Sequence, residues 1–179
     1  MGIRIAVLFS TLVLLAAAHA GAACPTPFER DVVRLVNVER ANQGLAPLQI
    51  DARLTAAAQG HARDMARNDF VSHTGSNGSR FHERIEGQGY SGAPLAENVA
   101  AGYSSPASVV AGWMESAGHR ANILNAALGH VGVAHIEQPG SQYHNYWSQS
   151  FGASPASVTT CTGTRVGDLA DSRVQATTR

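Results

Sequence analysis

The chain has 179 residues, 13 basic and 13 acidic side chains, no net charge, and a 44% hydrophobic content. A nucleic-acid binder carries a strongly basic face, whereas the charges here are scattered singly or alternate along helices, so that class is excluded. The length suits one domain around one core.

Arg4 precedes an apolar run from Ile5 to Ala18, and Ala18-His19-Ala20 is a small-x-small cleavage pattern. Residues 1–20 therefore read as a signal peptide, and the mature chain as secreted, either extracellular or periplasmic. The run is shorter than the roughly 20 apolar residues of a membrane span, and no later segment approaches that length. Lipid anchoring at Cys24 is the minor reading, because Gly21 stands where such a signal favours a larger apolar residue.

Cys24 and Cys161 are the two cysteines, and they bracket almost the whole mature domain. In an oxidising compartment one disulfide between them is the expected state; in the chain-entropy account so long a loop contributes about 4 to 5 kcal/mol. A pair of catalytic or metal-binding thiols is the poorer alternative, since no CxxC spacing exists.

Thr26-Pro27-Phe28-Glu29 forms a capping box with proline at the first helical position, and Val32, Leu35 and Val36 continue a helix to Asn42. After Gly44-Leu45-Ala46-Pro47, Asp51 caps a second helix with Leu54, Ala57, Ala58, His61 and Met65 on one stripe. His61 on that apolar face reads as a packing histidine rather than a ligand.

Ser72 to Gly78 is a loop by composition, with His73 inside it, and Ser79 can cap a short helix carrying Phe81 and Ile85 to Gly87. Loops on a rigid scaffold gather binding groups, but a loop histidine is as readily a solvated bystander. His82-Glu83-Arg84-Ile85-Glu86 looks like a zincin helix, yet Glu86 stands where the second histidine is needed, so that reading fails on ligand count.

Glu97 lies amid small and apolar neighbours in Leu95 to Ala100, so its carboxylate is expected to be partly buried. Burial costs several kcal/mol unless a cation, a metal ion or hydrogen-bond donors compensate. A structural acceptor for loop amides is the equally weighted alternative.

Ser105-Pro106 opens another helix with Val109, Val110, Trp113 and Met114 as its stripe. Ser116-Ala117-Gly118 ends it, which presents His119 on a bend, with Arg120 and Asn122 bracing the turn. Val131 to Ile136 and Tyr143 to Phe151 read as an antiparallel hairpin across Pro139-Gly140. His130, His135 and His144 there are too weakly placed to enlist. Apolar periodicity ends after Ala153, and residues 162–179 are expected to form a mobile tail. Helices first and strands late give an α+β single domain, an antiparallel sheet covered by helices.

His73 in its loop, Ala96-Glu97-Asn98, Trp113 before Gly118-His119-Arg120-Ala121-Asn122-Ile123-Leu124, and Tyr146-Trp147 leading to Phe151-Gly152 occur in one order that resembles the bacterial branch of the CAP superfamily, the SCP domain. The resemblance spans Phe28 to Gly152, so residues 24–161 read as one CAP domain. It implies an α-β-α sandwich with a cleft in which His73, Glu97 and His119 face one another, and where zinc or another divalent ion binds in some relatives. Eukaryotic relatives add a glutamate three residues after the tryptophan; Ser116 stands at that spacing and Glu115 one residue earlier, turned by about 100° on a helix. The expected site thus has three groups, with water completing the shell.

The leading function is a non-enzymatic module binding a divalent metal and a ligand, a small hydrophobic molecule such as a lipid, or a protein. The alternative is a metal-dependent hydrolase or peptidase that lowers the pKa of bound water to about 7. A structural protein with a vestigial cleft is a third class. The chain is expected to be a monomer.

Overall fold

The computed structural model describes residues 23–153 and 157–161. The expected signal peptide at 1–20 and the expected tail at 162–179 lie outside the described residues.

Helix α1 (Pro27–Asn42) starts as its sequence dictates: the Thr26 hydroxyl accepts from the Glu29 amide at 3.2 Å, and Glu29 Oε2 accepts from the Thr26 amide at 2.6 Å. The other Glu29 oxygen accepts from the His135 amide, fastening the helix start to the sheet. Strand β1 (Gln49–Ile50) is followed directly by α2 (Ala52–Asn68), capped by Asp51; Leu54, Ala57, Ala58, His61 and Met65 are all buried, as the stripe predicts. Helix α3 (Phe81–Glu86) buries Ile85, but its cap is Arg80 rather than Ser79: the Glu83 carboxylate bends back to accept from the Arg80 amide. Strand β2 (Pro94–Ala101) then leads to α4 (Pro106–Glu115), α5 (Ala117–Ile123), β3 (Leu128–Glu137) and β4 (Asn145–Ala153).

The four strands form one sheet in the order β1-β3-β4-β2. It is antiparallel except at its edge, where two-residue β1 runs parallel to β3. On one face Trp147 and Phe151 of β4, with Val131 and Val133 of β3, meet Val32, Val36, Val109 and Trp113 of α1 and α4. On the other, Val99 and Tyr146 meet Met65 and Ala66 of α2, while Ile85 of α3 packs with Leu54 and Tyr90. At Gly132 the α2 backbone lies so close to β3 that a Cβ would overlap Leu54 and Thr55. The result is the expected three-layer α-β-α sandwich.

One local expectation is corrected. His119 lies inside α5 and not on a glycine bend, because the break falls at Ser116, whose extended backbone (φ −84°, ψ 121°) ends α4 and starts α5. Gly118 keeps an ordinary helical role and has no positive φ.

Candidate functional site

Glu97 sits on β2, a strand covered on both faces, and is only 4% exposed. Its backbone pairs with Ser150 of β4, which fixes the side chain on the α2 side of the sheet. The compensating partner required by burial is a cation: Arg84 of α3 donates to Glu97 Oε2 at 2.7 Å. Glu97 Oε1 is met by His73 Nδ1 at 3.0 Å.

His73 reaches this position because α2 stops at Asp69, which adopts the left-handed conformation (φ 53°), and because the following loop is tied down. Arg84 also donates to the His73 carbonyl at 2.9 Å and the Ser79 carbonyl at 2.7 Å, and Asp64 of α2 accepts from the Ser76 amide at 2.8 Å. One guanidinium therefore joins α3, the loop and β2. The carboxylate can only accept, so the proton on His73 belongs to Nδ1 and the neutral ring leaves Nε2 as an acceptor. The His73 side chain is 57% exposed, so the imidazole has a buried anchor and a face open to solvent.

His61 completes the buried side of this cluster. Its Nε2 stands 3.9 Å from Glu97 Oε1 but bonds the Ser72 carbonyl at 2.7 Å. Burial lowers its pKa, with Arg84 adding to this and Glu97 opposing it, so the ring is held neutral.

His119 approaches from the opposite layer. The Asn98 amide donates to the His119 carbonyl at 3.3 Å, and Asn122 donates to the Glu97 carbonyl at 3.2 Å and to Asn98 Oδ1 at 2.9 Å. The far end of α5 is held by Arg40, fully buried, which donates to the carbonyls of Ala46, Ile123, Asn125 and Leu128. Burial lowers the His119 pKa, and protonation of nearby His73 would lower it further.

The structure thus brings His73 onto Glu97 and His119 into the electrostatic reach of His73. Both Glu97 oxygens are already engaged. Among the described residues no three of His, Cys, Asp and Glu stand where they could share one metal ion. Glu115 ends α4 exposed. His130 bonds Tyr90, His135 bonds Asn145 and His144 pairs with Glu137, all outside the cluster. Arg84 is the participant that sequence reasoning missed; its signal was the demand for a cation beside Glu97. Arg40 gave no signal, since its acceptors at 123 to 128 are over 80 residues away.

Cys24 and Cys161 lie side by side as thiols: that of Cys161 is pushed up to about 12, by burial first and then by hydrogen bonding to Cys24, and it donates to the Ala23 carbonyl at 3.2 Å. The 157–161 segment is held there by the Thr159 amide on Asp51 and by Arg53 on the Ser157 carbonyl.

Residues 33–151 match the model of the cysteine-rich secretory protein (CAP) family. YkwD of Bacillus subtilis is 39% identical over 124 residues, 69% of this chain and 46% of YkwD, so the chain spans less than half that relative's length. An extracellular SCP-domain protein from Bacillus anthracis superposes with a TM-score of 0.63 at 25% identity, over 74% of this chain and 45% of that one. An outer surface protein of Borrelia burgdorferi shares the fold, with a TM-score of 0.64 at 20% identity over 74% of this chain and 99% of its own. No described helix is long and apolar enough to cross a membrane. The chain therefore belongs to the cysteine-rich secretory protein (CAP) family.

Proposed function

We propose that this chain is an exported binding module that takes a divalent cation on the imidazoles of His73 and His119, with Glu97 acting from behind His73. The observation that carries this reading is the 3.0 Å contact between His73 Nδ1 and Glu97 Oε1, which leaves Nε2 on the exposed side of the ring. A metal-binding imidazole characteristically gives its second ring N–H to a carboxylate, which fixes the tautomer and raises the basicity of the ligating nitrogen. As a direct third ligand Glu97 would have to share oxygens that already accept from Arg84 and His73, so we place it behind His73 instead. Two imidazoles with water completing the shell match zinc by donor type. The lowered pKa of His119 keeps its lone pair available at neutral pH.

Calorimetric titration of the mature chain with zinc tests this. The expected result is close to one ion per chain, lost in His73→Ala and His119→Ala and weakened by roughly 10- to 100-fold in Glu97→Gln. Equal uptake by all four proteins removes the site.

A carboxylate-held imidazole is also the base of hydrolytic sites, which supports a metal-dependent hydrolase as the second reading. Consumption of a peptide or ester only when metal is present supports it, and lipids co-purifying with the chain favour the binding module. Export rests on the Arg4 to Ala20 pattern and on relatives described as extracellular or outer surface proteins. In such a compartment the adjacent Cys24 and Cys161 thiols form one disulfide by exchange with an oxidised dithiol, losing two protons and two electrons to it. Intact mass before and after reduction, differing by two hydrogens, tests the pairing.

A further inference from the structure

A groove of about 410 Å³ runs between α2 and α3, with Arg84 but not His73 among its lining residues. Gly60, His61, Asp64, Ser76 and Glu83 are among the residues that line it. Three features of these residues call for an occupant.

Gly60 is the first. Glycine inside a helix is destabilising relative to alanine, and is usually kept for a positive φ or a close approach. Gly60 has neither: its φ is ordinary, and a Cβ added there would meet nothing within 4 Å. What its missing side chain leaves is open space on the α2 wall of the groove.

His61 is the second. The residue is 1% exposed, its Nε2 donates to the Ser72 carbonyl, and its Nδ1 is buried with no hydrogen-bond partner. The Ser72 contact fixes the tautomer, so Nδ1 is a lone pair in need of a donor, and a buried acceptor left unsatisfied is destabilising.

The third is the balance of charge. Arg84 is the one cation among the lining residues, and it is committed to Glu97 and to the carbonyls of His73 and Ser79. Asp64 and Glu83 remain. Although burial pulls it upward, Asp64 is held below the usual carboxylate range by bonds from Ser76 and Asn68. Its carboxylate accepts three hydrogen bonds of about four that two oxygens can take, and Glu83 uses one oxygen on the Arg80 amide. The side-chain amides of Asn77 and Gln88 offer the groove neutral donors and acceptors, but the unspent charge in it is all negative.

We propose that the α2–α3 groove is a second binding site, separate from the His73 cleft, for a small organic ammonium ion whose N–H groups meet Asp64, Glu83 and His61 Nδ1. Its volume lies within the 300 to 1,000 Å³ of ordinary small-molecule sites. A neutral polyol supplies donors but leaves the two carboxylates uncompensated.

Amide chemical-shift titration of the ¹⁵N-labelled mature chain tests the proposal, with 1,4-diaminobutane as the probe and butane-1,4-diol as its neutral counterpart. The diamine is expected to give saturable shifts centred on Gly60, Asp64, Ser76 and Glu83, with the diol at least about tenfold weaker. Gly60→Leu fills the groove without strain and favours the helix, so it is expected to keep the native spectrum and lose the diamine response; Glu83→Gln is expected to weaken it. Four results overturn the proposal: no saturable shift, an equal response to the diol, an undiminished response in Gly60→Leu, or shifts centred on His73 and His119.

Discussion

Replacing Arg84 by methionine keeps much of the side-chain volume and removes the charge that Glu97 depends on. Glu97 is 4% exposed and would retain His73 as its remaining polar partner, while the His73 and Ser79 carbonyls lose the donor that ties their loop to α3. Removing one member of a buried pair costs about 3 to 5 kcal/mol, and the lower end applies here because His73 stays and the Arg84 side chain is slightly exposed. A loss of about 3 kcal/mol corresponds to a melting point lower by roughly 6 to 12 °C in a domain of this size. Urea unfolding of the mature chain at neutral pH measures it. The double variant Arg84→Met, Glu97→Gln removes both charges and is expected to recover more than about half of the loss, since an amide has no charge to leave uncompensated. A loss below about 1 kcal/mol, or a double variant no more stable than the single, would refute the role given to the guanidinium.

Burial lowers the pKa of His61 from 6.5, so the unfolded chain takes up a proton below about pH 6.5 that the folded chain refuses; stability is expected to fall as pH drops through that value and to level off once folded His61 is protonated. Urea midpoints against pH for wild type and His61→Gln check this, the variant showing the shallower slope. Arg40→Met strips a buried donor from four carbonyls and is expected to cost about 3 kcal/mol or more, with hydrogen exchange faster around Ile123 to Asn125. Reducing the proposed Cys24–Cys161 disulfide is expected to lower stability by up to about 4 to 5 kcal/mol, and Cys161→Ser should abolish the difference between oxidised and reduced protein.

What could be read from the sequence was what local chemistry decides. The Thr26-Glu29 box, the Asp51 cap and the α2 stripe depend on residues three or four positions apart, and each forms as its spacing requires. Strand β2 escaped because Glu97 to Ala100 are buried on both faces, which erases the alternation that marks a half-exposed strand. Two-residue β1 is too short to leave a pattern. The bend assigned to Gly118 fell instead at Ser116, since glycine signals a break only where its backbone needs unusual angles. At the site, motif order singled out His73, Glu97 and His119 as an expected ligand set, but it gave no sign of how the Glu97 carboxylate is bonded. That depends on Arg84, which the packing of α3 against β2 delivers and no spacing along the chain encodes.

The arrangement around His73 is tested most directly by a zinc-soaked crystal structure of the mature chain, with the ion located by its anomalous signal. The account predicts an ion about 2.0 to 2.1 Å from one nitrogen each of His73 and His119. Glu97 should stay on His73 Nδ1, and Arg84 on Glu97. An ion bonded directly to Glu97 with Arg84 displaced, or one found away from both imidazoles, would contradict it.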